Sequence, residues 1–355
     1  MKPVLKGLST VLLLALSGCG AAGSAPPSAP AQSSSTVAST PARPAAASGG
    51  PKDKLRAGYL SHSTTSAIEF VSKAAGLYDK YGLDVELTFV RPAVLTTALN
   101  AGKDFDVGYA SAANIPTVNV KGGDLVMIGG SAQGGIFSIV ANPAIKSIAD
   151  LKGKKAGVTS TGSTTDLLLR QVLQANKLVP GQDVGIVVIA DDSAIVAALT
   201  SHQLDAIINS EPFTSIAVAQ GGSVIYDQAK SGERAVQTPV TVKRSYLPAH
   251  RDVLKRLLMA NMEAIHMIKT NPTAAAKFAA PLMEFDDVGV LETALKRTAQ
   301  IMDPDMNIPM ENLATSLKIA AANVPEVANL KPEDLVDLSI LQEIKASGFV
   351  EKLYQ

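Results

Sequence analysis

The chain has 355 residues, with 32 basic and 32 acidic side chains, 46% hydrophobic residues and one cysteine. Balanced charge argues against the one-sided field that nucleic acid or an anionic membrane surface selects. The lack of tryptophan, with 4% aromatics, argues against a stacking platform for bases or sugars.

At the N-terminus, Lys2 and Lys6 precede an apolar run over residues 11–16, followed by Ser17-Gly18-Cys19. The run is too short to span a bilayer as a helix and reads as a signal-peptide core before a cut site. Leu16-Ser17-Gly18-Cys19 resembles the lipobox of bacterial lipoproteins, which implies cleavage before Cys19 and a lipid on that cysteine. Residues 1–18 are therefore expected as signal peptide and 19–52 as a lipidated tether. Residues 20–51 are almost wholly Ala, Pro, Ser, Gly and Thr, with Arg43 as the only charge. About thirty such residues reach on the order of 30 Å as a coil. With a single cysteine there is no disulfide framework, so the folded part rests on its core.

About 300 residues remain, more than one core usually serves, which suggests two lobes. Residues 54–60 read as a strand, followed by the polar, cap-rich run Ser61-His62-Ser63-Thr64-Thr65-Ser66. A helix is expected over residues 67–78, with Ile68, Val71, Ala75 and Leu77 on its buried side. Residues 84–90 alternate Val85, Leu87 and Phe89, a strand. Arg91-Pro92 opens a helix, with proline at the favoured first position. Strands at 105–109 and 125–129 flank a helix over 110–120, and Ser131-Ala132-Gln133-Gly134-Gly135 follows. Residues 136–141 are extended up to the Asn142-Pro143 break. Strands alternating with helices argue for an α/β fold with a mostly parallel sheet.

The second lobe opens on residues 147–170. Ser147 and Asp150 form a one-turn helix cap, Gly153 ends that turn, and residues 155–158 make a strand. A loop of small hydroxyl residues around Gly162 leads to a helix capped by Ser163 or Thr164, whose apolar face is Leu167, Leu168, Val172 and Leu173. Free N–H groups at such a helix start can hold an anion or a carbonyl-rich ligand, although an ordinary capped turn has the same sequence. Strands follow at 185–189, 205–208 and 224–226, and a strand over 238–242 returns to the first lobe. From Leu247 onward the chain is helical, broken at Asn271-Pro272, Asp303-Pro304, Val324-Pro325 and Lys331-Pro332. One unit recurs: Ala98-Leu99 before Phe105-Asp106-Val107, and Ala198-Leu199 before Leu204-Asp205-Ala206. Ligands of open α/β sheets bind beyond the C-terminal strand ends, which here are small, polar or glycine-rich.

The lipobox and tether, Gly76-Leu77-Tyr78 before Tyr81-Gly82-Leu83-Asp84-Val85, the Ala98-Leu99 unit, residues 147–155 and Asn209-Ser210-Glu211-Pro212 together resemble the periplasmic substrate-binding proteins of ABC importers. The nearest group is the nitrate, sulfonate, taurine and thiamine-precursor binding family. The resemblance implies a two-lobed periplasmic-binding-protein fold of type II with a ligand cleft between lobes. It divides the chain into a first lobe over 53–141 and 236–355, the latter with the C-terminal helices, and a second lobe over 142–235. By position, it places ligand contacts on Ser61, His62, Thr64, Tyr109, Ser111, Gln133, Gly134, Thr161, Gly162, Ser163, Asn209, Glu211 and Pro212. It implies a monomer outside the cytoplasm, in the periplasm or on the outer face of the cell membrane. Its partners would be a small organic or oxyanionic solute, an ABC permease, and the membrane through the lipid; no nucleic acid, cofactor, metal or catalytic residue is expected. An enzyme on the same fold, acting on a pyrimidine precursor or an aromatic acid, is the alternative reading. His62, Arg91 and Glu211 each stand where a ligand contact and a surface or capping role are both open. His202 falls where the family often has glycine and reads as a surface turn residue. Met259, Met262 and Met267, at helical spacing, read as core.

Overall fold

Leu55 and Ala57, buried on either side of the exposed Arg56, start the period of two that makes a strand, and Tyr59 continues it. The computed structural model describes residues 51–230, 234–322 and 324–355, with only the backbone at 92 and 93. The expected signal peptide, Cys19 lipidation site and most of the tether lie outside the described residues. The strands are β1 (Asp53–Tyr59), β2 (Leu83–Phe89), β3 (Val107–Tyr109), β4 (Leu125–Gly129), β5 (Phe137–Ala141), β6 (Lys154–Val158), β7 (Val184–Val188), β8 (Ala206–Ser210), β9 (Ser223–Asp227) and β10 (Val240–Lys243).

They form two five-stranded sheets, ordered β2-β1-β3-β10-β4 and β7-β6-β8-β5-β9. The three leading strands of each sheet run parallel, and the fourth is antiparallel. The recurrent Ala-Leu…Asp unit has the same job twice. Asp106 Oδ2 accepts the Arg56 N–H at 2.9 Å, and Asp205 Oδ2 accepts the Lys155 N–H at 2.9 Å. Each aspartate pins the strand it precedes to the neighbouring parallel strand, β3 to β1 and β8 to β6. All described residues fall in one compact unit.

The first sheet is covered on one face by the helices Ala67–Ala74, Arg251–Thr270 and Pro272–Ala279, and on the other by Pro92–Ala101 and Met310–Ala321. The second carries Thr164–Ala175 on one face and Asp192–Thr200 with Phe213–Ala219 on the other. Sealing one such leucine or isoleucine from water contributes roughly 1.5–3 kcal/mol.

Three expectations change. Strand β5 pairs with β8 and β9 in the second sheet, so the second lobe takes up the chain before residue 142. All five of its side chains are buried, so it shows no alternation, and the Asn142-Pro143 break drew the eye instead. The Thr164–Ala175 helix buries Leu169 rather than Leu167. The helix expected over 110–120 is only Asn114–Asn119.

Two crossing segments link the sheets, residues 130–136 and 228–239. They bond to each other: Gly134 N–H to Ala235 O at 3.1 Å, Gln237 N–H to Ala132 O at 3.3 Å, and Ser131 Oγ to Thr238 O at 2.9 Å. His202 is exposed and holds φ at +57°, the left-handed region that glycine enters more easily. Met262 is buried, and Met259 and Met267 pack partly buried on the same core.

Candidate functional site

Past the end of β1, Ser61, Ser63 and Thr65 gather their hydroxyls within 2.7–3.0 Å of one another. This turn presents Thr64 to the other sheet. Thr64 donates its N–H and its Oγ1 to the Glu211 carbonyl, at 2.9 and 3.0 Å. Thr298 Oγ1 donates to Thr64 Oγ1 at 2.8 Å. Arg297 Nη1 lies 2.8 Å from Glu211 Oε1, and Phe213 meets Phe285 edge to face at 6.4 Å. Thr238, on a crossing segment, donates to the Thr65 carbonyl at 3.1 Å. The C-terminal end of β8 therefore docks on the loop after β1, and the two sheets meet along this seam.

Buried polar atoms without a hydrogen bond collect beside the seam. Among the described residues they are Ser66 Oγ, both carboxylate oxygens of Glu69, Asn209 Nδ2 and Glu211 Oε1. These four residues are between 1% and 6% exposed. Ser66 and Glu69 stand at the start of the Ala67–Ala74 helix, and Asn209 and Glu211 at the end of β8. Buried groups of this kind are normally paired, and each one left over costs about 1–3 kcal/mol. The Ser66 side chain and the helix backbone both favour the charged form of the Glu69 carboxyl. Arg297 neutralises Glu211 as an ion pair at 2.8 Å.

Burial pushes the Glu69 carboxyl up to about 8, against small pulls from its own backbone and from Ser66. Asp192, half-buried in the first turn of the Asp192–Thr200 helix, is pushed up to about 6 by burial, while the neighbouring Asn209 side chain pulls it down. Where the two sheets and the crossing segments converge is a cavity of about 20 Å³, lined by Ser111, Thr164, Leu168, Gln228 and Gln237 among others. That is room for about one water. A larger cavity of about 240 Å³ lies elsewhere, against Met262, Leu341, Asp303 and Asp305. Its polar groups are engaged: Asp303 accepts the Asp305 N–H at 2.8 Å, and Lys345 lies 3.8 Å from Asp305. It holds none of the unpaired buried atoms.

The structure brings together Ser61, Thr64, Asn209, Glu211 and Pro212, and sets Ser111 on the small cavity. His62 joins an aromatic cluster, 3.0 Å from the Tyr59 hydroxyl and stacked on Phe89 at 5.5 Å. Tyr109 turns inward: its hydroxyl bonds Tyr78 at 2.9 Å and Asn261 at 2.8 Å, so only its backbone remains toward the seam. Gln133 is spent on structure, donating to Asn307 O at 2.6 Å and accepting from Asn312 at 3.1 Å. The Gly134 carbonyl accepts from Gln237 Nε2 at 2.5 Å. Arg91 is exposed.

The loop over 159–165 uses its own donors. The Gly162 N–H goes to Asp166 Oδ2 at 2.9 Å, the Asp166 N–H to Ser163 Oγ at 3.4 Å, and the Thr159 N–H to Thr165 Oγ1 at 3.2 Å. Thr161 and Gly162 are exposed. The Gly162 N–H is thus engaged, because a buried Asp166 caps the turn from within. Sequence reading missed Ser66, Glu69, Asp192, Thr238 and Arg297. Only Asp192 carried a signal, as half of the Asp191-Asp192 pair, and that pair reads first as a helix start.

Two parallel-led sheets joined by paired crossing segments, with polar strand ends meeting between them, define the periplasmic-binding-protein fold. The chain shares it with a solved structure from Bordetella bronchiseptica RB50, at a TM-score of 0.73 and 23% identity over 84% of this chain and 98% of that one. It also matches the periplasmic aliphatic sulphonate binding protein SsuA from Escherichia coli, at a TM-score of 0.62 and 21% identity over 81% and 91%. The chain belongs to the NMT1-like family, whose model matches residues 48–283. A Brucella abortus relative, provisionally named a binding protein, is 26% identical over 71% of this chain and 78% of its own length.

Proposed function

We propose that the chain is a lipid-anchored substrate-binding protein that takes a small organic or oxyanionic solute between its lobes and delivers it to an ABC permease. The observation that supports this most is the polar seam itself, where the Thr64 N–H and hydroxyl on the loop after β1 meet the Glu211 carbonyl at the end of β8. A ligand entering there would pair atoms from both lobes at once. A solute held that way couples binding to a hinge motion, since only the closed state makes both sets of contacts. With about 20 Å³ where the sheets converge, the lobes must part to admit a solute. The lobes would divide near residues 130–136 and 228–239. Family membership and the shared fold favour binding over catalysis, and the lipobox favours an extracytoplasmic, membrane-held monomer.

Thermal-shift screening of the purified protein against sulfonates, nitrate, pyrimidines, amines and aromatic acids tests the reading. A stabilising solute recovered chemically unchanged is the expected result; turnover of that solute would replace it with the enzyme reading. Anchoring is read separately: Cys19→Ala should abolish labelling by radioactive palmitate, and unchanged labelling would remove Cys19 from the proposal.

A further inference from the structure

We propose that the cavity of about 240 Å³ against the Arg251–Thr270 helix is a second ligand site, separate from the seam, for a small primary amine with an apolar body, and that its occupation is transmitted to the crossing segment 130–136. Met262, Leu338, Leu341 and Val350 supply its apolar lining, and three of them, Met262, Leu341 and Val350, are buried. Asp303, Asp305 and Lys345 supply its charge. Protein interiors hold few voids larger than a water molecule. An apolar cavity of about 150 Å³ accepts benzene, so this one has room for a benzene ring with a short arm.

The lining selects a cation. Asp303 Oδ1 accepts the Asp305 N–H, and among the described residues no hydrogen bond falls on its Oδ2. Burial raises the Asp303 carboxyl against the pull of Lys269 and Lys345, so the cations in place do not compensate it. Lys269 is engaged by the Ala299 and Met302 carbonyls, at 2.7 and 3.1 Å. Lys345 reaches Asp305 at 3.8 Å with its side chain 70% exposed, a weak tie in water. An ammonium group between the two carboxylates takes the place Lys345 leaves open, whereas a carboxylate would meet like charge. The loop that carries both aspartates is tied to the crossing segment. Met306 O accepts the Gly130 N–H at 2.7 Å, Ile301 O the Gln133 N–H at 2.8 Å, and Asn307 O the Gln133 side chain at 2.6 Å. Drawing Asp303 and Asp305 onto an amine therefore loads the segment on which the sheets turn.

Calorimetric titration of the purified protein with benzylamine tests the site. Benzyl alcohol lacks the charge, methylamine lacks the body, and benzoate reverses the sign. Benzylamine should bind saturably, about 10- to 100-fold tighter than benzyl alcohol or methylamine, and benzoate should not bind. Asp303→Asn should weaken benzylamine by the same factor, and Leu341→Phe, which grows into the open volume, should abolish binding. Asp305→Asn, at a side chain 39% exposed, repeats the charge test if Asp303→Asn folds poorly. Equal affinity for benzylamine and benzyl alcohol would overturn recognition of a cation. Benzylamine binding that all three variants leave intact, or no binding by the parent, would overturn the site. Amide hydrogen exchange reads the coupling: bound benzylamine should slow exchange over residues 130–134 severalfold, and unchanged exchange at saturation would overturn transmission to the crossing segment.

Discussion

Glu69 sets a carboxylate where water does not reach, and that has a pH signature. Its unfolded pKa is that of an ordinary glutamate, about 4.3, and burial lifts it to about 8 in the folded chain. The native state therefore holds an extra proton between those values. Stability is highest below the lower pKa, falls as pH rises through the window, and levels off above the upper one. Burial raises Tyr59, Tyr78 and Tyr109, from three elements around it, so they stay neutral throughout. Asp192, pushed up to about 6, adds to the same slope at its lower end. We expect urea denaturation at pH 6 and pH 8.5 to differ by on the order of a few kcal/mol, and Glu69→Gln to remove most of the difference. Parallel curves for parent and variant would show that burial does not raise the carboxyl. Nothing in the sequence marks Glu69. An acidic residue among Ile68, Phe70 and Val71 reads as the wet side of an amphipathic helix, and that side is dry only because Arg251–Thr270 and Pro272–Ala279 fold back over it from late in the chain.

Elements were more legible than contacts. The Ala-Leu…Asp repeat announced two copies of one supersecondary unit, because a helix end, a tight turn and a strand are local events with local sequence rules. What each aspartate bonds to was hidden, since Arg56 and Lys155 lie fifty residues away in sequence. Asp205→Ala leaves the Lys155 N–H without its carboxylate, and charge-assisted bonds of this type are worth about 1–3 kcal/mol. Asp106→Ala should cost about the same, plus at most about 1 kcal/mol for its ion pair with the half-exposed Arg56. Both should shift urea midpoints without changing the slope. A midpoint within error of the parent for Asp205→Ala would mean the strand order is held by the sheet ladder alone. Strand β5 shows the opposite limit: a fully buried strand has no alternation to read, so its sheet became visible only through its partners. The hydroxyl-rich loop after β6 was correctly read as a loop and a cap. What Asp166 does there was not legible, because from sequence it looks like first-turn decoration and in the fold it takes the Gly162 N–H.

At the scale of the whole molecule, the seam is also a latch. Thr64 on Glu211 O, Arg297 against Glu211 and Phe213 against Phe285 all join the lobes, and all must break for a solute to enter. Of these, Arg297 is the one at the rim, whose loss removes a tie between the lobes and leaves the Thr64 bonds to Glu211 in place. Its side chain is 47% exposed and that of Glu211 8%, so the pair sits at the rim, where such bridges are worth about 0–1 kcal/mol. The closed state loses that amount in Arg297→Ala, and Glu211 gains a further reason to reach water. A shift of up to about 1 kcal/mol moves the open-to-closed ratio by up to about fivefold. Ligand-free Arg297→Ala should therefore show a larger radius of gyration by small-angle scattering, and a solute identified by screening should associate faster by stopped flow. Saturating solute should bring the scattering curve back to that of the liganded parent, because the solute then supplies the contacts between lobes. Scattering curves of ligand-free parent and variant that superimpose would show that the rim pair holds nothing shut, leaving the Thr64 bonds to Glu211 and the Thr238 bond to Thr65 to tie the seam.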